Sequence, residues 1–167
     1  YTSHSLEPRG LGVSCVRVEQ GACIFTVHEG DQQVIFTIEC PSRAFLDNAL
    51  AALAVARSLG MPLSEAATYL KQLPPSPGRM QFVALQQGAR LLDDSWNASP
   101  ASVRTLIDAI SSIDAEQRIL VFANMEELSD QAVFWHQQVA EWLHQKIDYL
   151  LTYGDLAYET HKRYKEK

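Results

Sequence analysis

Apolar and polar residues alternate along three early runs, Val13–Val18, Cys23–His28 and Val34–Glu39, with Glu19-Gln20-Gly21 and Glu29-Gly30-Asp31 as turn-forming breaks between them. The pattern predicts a small antiparallel meander. After Pro41 the period lengthens to that of a helix. Leu46, Leu50, Leu53 and Ala54 share one face, and Gly60 stands where a C-cap glycine ends the element. A second helix is expected after Pro62, with Ser64 as N-cap and Ala67 and Leu70 continuing the apolar stripe. The run Pro74-Pro75-Ser76-Pro77-Gly78 forbids regular structure and marks a domain boundary.

Beyond it, strand and helix patterns alternate. Met80–Leu85 and Arg90–Leu92 read as strands, and Pro100–Ile113 as a helix with Ser99 as N-cap and Pro100 at its first position. Val103, Leu106, Ile107 and Ile110 make its inner stripe. Arg118–Phe122 is a short strand, Asp130–Gln145 a helix with Val133, His136, Val139, Ala140 and Leu143 on one face, and Ile147–Leu151 another strand. This is the order of βαβ units. The fold class is therefore α/β, with a mostly parallel sheet and flanking helices, as a three-layer sandwich, in the second half. His161–Lys167 carries four basic residues and no apolar pattern, which predicts a solvated end or a cut point.

Composition narrows the function classes. The chain has 167 residues, 47% of them hydrophobic and 20% charged, an ordinary globular balance. Fourteen basic against twenty acidic residues leave a net charge of −6, the wrong sign for phosphate backbones or anionic lipid, so neither nucleic acid nor membrane is an expected partner. The apolar stretch from Ala44 to Gly60 is broken by Asp47, Asn48 and Arg57 and reads as a buried helix. No export signal is visible before Gly12, and a first residue other than Met suggests a fragment. Cys15, Cys23 and Cys40 show no metal-ligand spacing and read as reduced, packed thiols of a cytoplasmic protein.

Candidate chemistry centres on Asp93-Asp94-Ser95-Trp96-Asn97-Ala98-Ser99-Pro100, between the end of a strand and the start of a helix. Ligands of open α/β sheets bind at such carboxyl ends, and a helix N-terminus there offers N–H groups to anions. Asp93 and Asp94 are suited to ligand hydroxyls; the same residues also suit turns and caps, and both readings stand. Arg79, after Pro77-Gly78, presents a fork fitted to phosphate or carboxylate, or serves as a structural arginine at a domain edge. Asn48 is either a helix-contact amide or a reader of a ligand edge. His136 is a core histidine or a catalyst. No Ser/His/Asp set, HExxH or glycine-rich phosphate loop is present.

Four blocks, taken in order, resemble the Mur ligases, and within them the MurF type. They are Asn48-Ala49-Leu50-Ala51-Ala52 with Leu59-Gly60; Pro77-Gly78-Arg79-Met80; Asp93 to Pro100; and Met125-Glu126-Glu127-Leu128 followed by His136. The third is close to the Asp-Asp-Ser-Tyr-Asn-Ala-Asn-Pro run that separates this type from its sister ligases. The resemblance covers about residues 12–155 and implies an ATP-dependent amide ligase. Such an enzyme adds D-alanyl-D-alanine to a UDP-N-acetylmuramoyl-tripeptide through an acyl phosphate. Residues 1–78 would be the last part of the ATP-binding central domain and residues 79–167 an incomplete Rossmann-like C-terminal domain. By the same resemblance Asn48 contacts adenine, Arg79 the ATP phosphates and Asp94 the ribose, with Asp93 and Asn97 in the same nucleotide-binding set. ATP and magnesium are the implied cofactors, with the magnesium ligands mostly outside this chain, and without a phosphate loop the chain alone is expected to be inactive. Two departures keep an alternative open, a catalytically degenerate binding or scaffold domain. Ser42-Arg43-Ala44-Phe45 stands for the family's Gly-Arg-His-Asn, and Ala123-Asn124-Met125-Glu126-Glu127-Leu128-Ser129 for Gly-Asp-Met-x-Glu-Leu-Gly, with Asn124 removing a negative charge.

Overall fold

The computed structural model describes residues 10–19, 21–40, 42–74 and 76–166, and the side chain of residue 44 is excluded. The start of the chain before Gly10, Gln20, Pro41, Pro75 and Lys167 lie outside the described residues. The chain divides into two compact units, Tyr1–Pro75 and Ser76–Lys167.

In the first unit β1 (Gly12–Glu19), β2 (Ala22–Glu29) and β3 (Gln32–Ile38) form the expected antiparallel meander in the order β1-β2-β3. Alternation sets which side is buried: Cys23, Phe25 and Val27 of β2 and Phe36 of β3 are fully buried, and the Phe25 and Phe36 rings stack at 5.5 Å. Burial pushes the Cys23 thiol up, against the pull of Arg43, and keeps it protonated and inert. Cys40 is also buried, but Cys15 is exposed: it sits at φ +53 where the register between β1 and β2 shifts, so a bulge turns it out of the packed set.

Helices α1 (Leu46–Ser58) and α2 (Leu63–Gln72) supply the rest of this core through Ala49, Leu53, Leu63 and Ala66. Ala54, expected on the inner face of α1, is exposed, and Ala49 takes that place. Gly60, at φ +89, accepts the left-handed turn that ends α1. Its N–H bonds Arg57 O (3.0 Å) and that of Met61 bonds Ala56 O (3.0 Å), the two bonds of a Schellman motif. Arg57 also pairs with Glu29, Nη2 to Oε2 at 2.7 Å, which ties the end of α1 to β2. Ser64 is not the N-cap of α2; Pro62 holds that position in extended backbone, because burial of Leu63 draws the helix start forward by two residues.

In the second unit β4 (Gln81–Ala84) and β5 (Arg90–Asp93) pair with each other antiparallel, Gln81 opposite Asp93. The connection between them is too short for a parallel crossover, so the strand–helix alternation begins only after β5. β6 (Ile119–Ala123) and β7 (Tyr149–Tyr153) pair in parallel through the crossover helix α4 (Ala132–Leu143), as expected of a βαβ unit. β7 begins two residues later than its apolar pattern suggests, because Ile147 is buried in the turn before it and not in the strand. The first residues expected in α4, from Asp130, form a short 3-10 turn, and Val133 is exposed.

Val103 and Ile107 of α3 (Pro100–Ser112), Leu120 and Phe122 of β6, Val139 and Leu143 of α4, and Ala157 of α5 (Asp155–Lys165) share one buried cluster. On the opposite side of the parallel pair Ile119, Val121, Tyr149, Leu151 and Tyr153 are exposed. The described residues thus build two layers here, not the three expected. The tail is helical as far as Lys165, within α5. Lys162, Arg163, Lys165 and Glu166 are exposed, as a solvated end requires, but Tyr164 packs against the cluster and its Oη donates to Ile147 O at 3.3 Å, while upstream Thr160 is buried and donates from Oγ1 to His136 O at 2.7 Å.

Ser99 caps α3 as expected, in a reciprocal box: Ser102 N–H donates to Ser99 Oγ (3.2 Å) and Ser99 N–H to Ser102 Oγ (2.9 Å). Ser99→Ala is expected to cost about 1 kcal/mol and Ser99→Asp much less, measured by urea unfolding. Equal losses would show that the cap contributes nothing.

Candidate nucleotide-contact loops

The second unit brings together two short segments that are distant in sequence. The turn at residues 77–80 enters β4, and the loop at residues 93–97 leaves β5 at its carboxyl end. Because β4 and β5 are neighbours, with Gln81 facing Asp93, the two segments emerge side by side.

Two hydrogen bonds then stitch them. Trp96 N–H donates to Gly78 O at 3.1 Å, and Met80 N–H donates to Asp94 Oδ1 at 3.1 Å. Gly78 has φ +68 and lies so close to the loop that a Cβ there would stand 3.2 Å from Trp96 N and 3.4 Å from Trp96 Cβ. Glycine is thus required twice, by conformation and by approach. Met80, buried and at φ +50, is held in that uncommon backbone by the Asp94 bond.

Asp94 therefore braces the turn with one carboxylate oxygen. Burial pushes its carboxyl up from the ordinary carboxylate range, opposed by the Met80 N–H and the Arg79 guanidinium and reinforced by Asp93. Asp93 Oδ1 accepts from Ser95 N–H at 3.1 Å, a local turn bond. Arg79 is exposed and its guanidinium lies over the Trp96 ring, Cζ 5.7 Å from the centroid. Asn97 is exposed at the end of the same loop. Arg79, Asp93, Asp94 and Asn97 thus lie on two stitched segments. Asn48 is exposed in the first turn of α1, in the other unit.

The start of α3 offers less to an anion than its sequence suggests. Pro100 has no N–H, and Ser99 takes that of Ser102, so among the first three positions Ala101 alone remains a donor. His136 is a core residue. It is fully buried, its Nε2 accepts from Met125 N–H at 3.0 Å, and its Nδ1, 2.7 Å from Ala132 O, is left to donate to that carbonyl, so both ring nitrogens are spent inside the core. Asn124 is likewise structural, since its Oδ1 accepts from Ala157 N–H at 3.0 Å in the first turn of α5. Sequence reasoning missed the parts played by Trp96, Gly78 and Met80, although all three fall within the blocks that carry the resemblance.

Comparison with known proteins gives the family. Residues 78–166 match the family described as Mur ligase, glutamate ligase domain. The UDP-N-acetylmuramoyl-tripeptide–D-alanyl-D-alanine ligase of Escherichia coli (strain K12) is 32% identical over 117 residues, covering 70% of this chain and 26% of that protein. The ligase of the same name from Bacillus subtilis (strain 168) is 31% identical over 112 residues, covering 66% and 24%. The chain thus spans about a quarter of the length of these relatives. A crystal structure of MurF from Acinetobacter baumannii superposes with a TM-score of 0.84 at 20% identity, covering 94% of this chain and 34% of that one. MurF ligase from Thermotoga maritima in complex with ADP superposes at 0.77 with 23% identity, covering 93% and 36%. With nearly the whole second unit matched by that domain and the fold shared with solved MurF structures, this chain belongs to the Mur ligase family.

Proposed function

We propose that the chain is part of a cytoplasmic, ATP-dependent amide ligase of the MurF type, joining D-alanyl-D-alanine to UDP-N-acetylmuramoyl-tripeptide in peptidoglycan precursor synthesis. The observation that carries the reading is the stitched pair of segments at the carboxyl end of β5, in a chain 32% identical to a ligase of that name. Residues 1–78 are assigned to the end of the ATP-binding central domain and residues 79–167 to the start of a Rossmann-like C-terminal domain.

Within the second unit the reading gives Arg79 to the ATP phosphates and Asp94 to the ribose hydroxyls, with Asp93 and Asn97 beside them. The side chains fit those roles chemically. Arg79 has a planar donor edge that no carboxylate at ion-pair distance occupies among the described residues, and Asp94 Oδ2 remains an acceptor after Oδ1 is spent on Met80. In the first unit Asn48 is given to adenine. ATP, when bound, supplies the phosphoryl group that activates the substrate carboxylate. Magnesium is assigned ligands mostly outside this chain; among the described residues no three His, Cys, Asp or Glu side chains gather to hold a metal ion. No helix is long and apolar enough to cross a membrane, again among the described residues.

The alternative, a degenerate binding or scaffold domain, leans on changes such as Asn124. That change has a structural account, since asparagine and aspartate both cap helices well, which weakens it as a sign of lost function. The deciding experiment grafts residues 12–166 in place of the matching segment of the Escherichia coli ligase. ATP-dependent formation of the UDP-linked pentapeptide is expected. A folded graft that binds ATP but forms no product favours the scaffold, and one that binds no ATP overturns the nucleotide reading. The 167-residue chain alone, given ATP, magnesium and both substrates, is expected to release no phosphate above background.

A further inference from the structure

Trp96 is the least explained large side chain of the second unit. It is 71% exposed and belongs to neither buried cluster, so packing gives no reason for an indole there. Its one described side-chain partner is Arg79, whose Cζ lies 5.7 Å from the ring centroid. The two residues are not brought together by chance rotamers alone. The backbones that carry them are joined by Trp96 N–H to Gly78 O, by Met80 N–H to Asp94 Oδ1, and by the close packing of Gly78 on Trp96, so both Cα atoms are fixed relative to each other.

We infer that Trp96 is a positioning residue for Arg79: the indole holds the guanidinium by its face beside the 93–97 loop and leaves the donor edge open to an anion. The physical argument lies in how arginine is held. A carboxylate partner would occupy the N–H groups in the plane of the guanidinium, which are the groups that bind phosphate. An aromatic face restrains the same group through its π surface and uses none of those donors. Lysine would not substitute, because a compact ammonium has no plane to stack. The inference rests on the assignment of Arg79 to phosphates only for the identity of the anion; the restraint of Arg79 by Trp96 is independent of it.

The test uses the 167-residue chain, with Trp96→Leu, Trp96→Tyr and Arg79→Lys, and reads the Arg79 side-chain NMR signals, identified by their loss in Arg79→Lys. In the parent chain the Arg79 methylene protons are expected to be shifted by the indole ring current and its Nε–H to be ordered. Trp96→Leu should abolish both at unchanged melting temperature, and Trp96→Tyr should keep them in weaker form. Titration with pyrophosphate should then show affinity lowered about two- to fivefold by Trp96→Leu, the size of one exposed cation–π contact, and largely restored in Trp96→Tyr. Unshifted Arg79 signals in the parent chain, or signals and affinity unaltered in Trp96→Leu, overturn the inference. Stacked Arg79 signals that are lost in Trp96→Leu, without any response to pyrophosphate, support the positioning role and count against the phosphate assignment instead.

Discussion

Gly154→Ala is expected to destabilise the second unit by about 2–4 kcal/mol, which for a unit of this size lowers its melting temperature by roughly 10 °C or more. Gly154 precedes α5 at φ +102 and ψ 158, a backbone region open essentially to glycine, and placing another residue there costs about 1–3 kcal/mol. A Cβ there would also fall on the Asn124 amide, 2.8 Å from Cγ and 2.9 Å from Nδ2. Asn124 would have to swing away and release Ala157 N–H, a cap worth about 1 kcal/mol. The consequence spreads because α5 reaches the core through buried Ala157 and Thr160. The collision is separable from the backbone cost: in an Asn124→Ala background Gly154→Ala should cost about 1 kcal/mol less, and equal costs in both backgrounds would show that the two residues do not interact.

What can be read from the sequence follows the range of the forces involved. The meander, α1, α3 and α4 rest on strict periods of apolar residues and on local signals such as Gly60 and Ser99-Pro100, which act within a turn or two. Helix α5 escapes such a reading because its buried side is narrow, Ala157 and Thr160 with partly buried Tyr164, in an otherwise polar segment. Its signal is electrostatic: Asp155 in the first turn and Lys162, Arg163 and Lys165 in the last, as the helix dipole favours. The β4–β5 pairing is hidden for a different reason. Strand patterns give the direction of side chains but not the partner, and only the short connection at residues 85–89 identifies it.

The site residues are legible as a motif but not as a mechanism. Asp93, Asp94 and Arg79 stand out by type and place, while the bonds that join them depend on Gly78, Met80 and Trp96, whose backbone roles leave little trace in residue type. Gly78 is the exception, since a glycine after proline signals a turn. Both readings open for Asp94 prove compatible: one oxygen braces Met80, and the other remains an acceptor.

That division of labour makes Asp94 the most informative substitution in a complete ligase carrying this segment. Asp94→Ala is expected to lower both thermal stability and ATP affinity, because it removes the acceptor of Met80 N–H and the acceptor proposed for ribose together. Asp94→Asn keeps an oxygen for Met80 and exchanges the second for an amide donor. It should therefore retain most of the stability while the KM for ATP rises roughly ten- to a hundredfold, the loss of a charged hydrogen bond, with the KM for the dipeptide little changed. The pH dependence gives an independent check. Burial raises the folded carboxyl above its unfolded value, so between the two the native state binds more protons and stability falls as pH rises through that window. Asp94→Asn removes this slope. Nucleotide affinity should run the opposite way, rising as Asp94 ionises, so in the wild type stability and ATP affinity diverge over the same pH range. An Asp94→Asn enzyme with normal ATP affinity would return the aspartate to the turn alone.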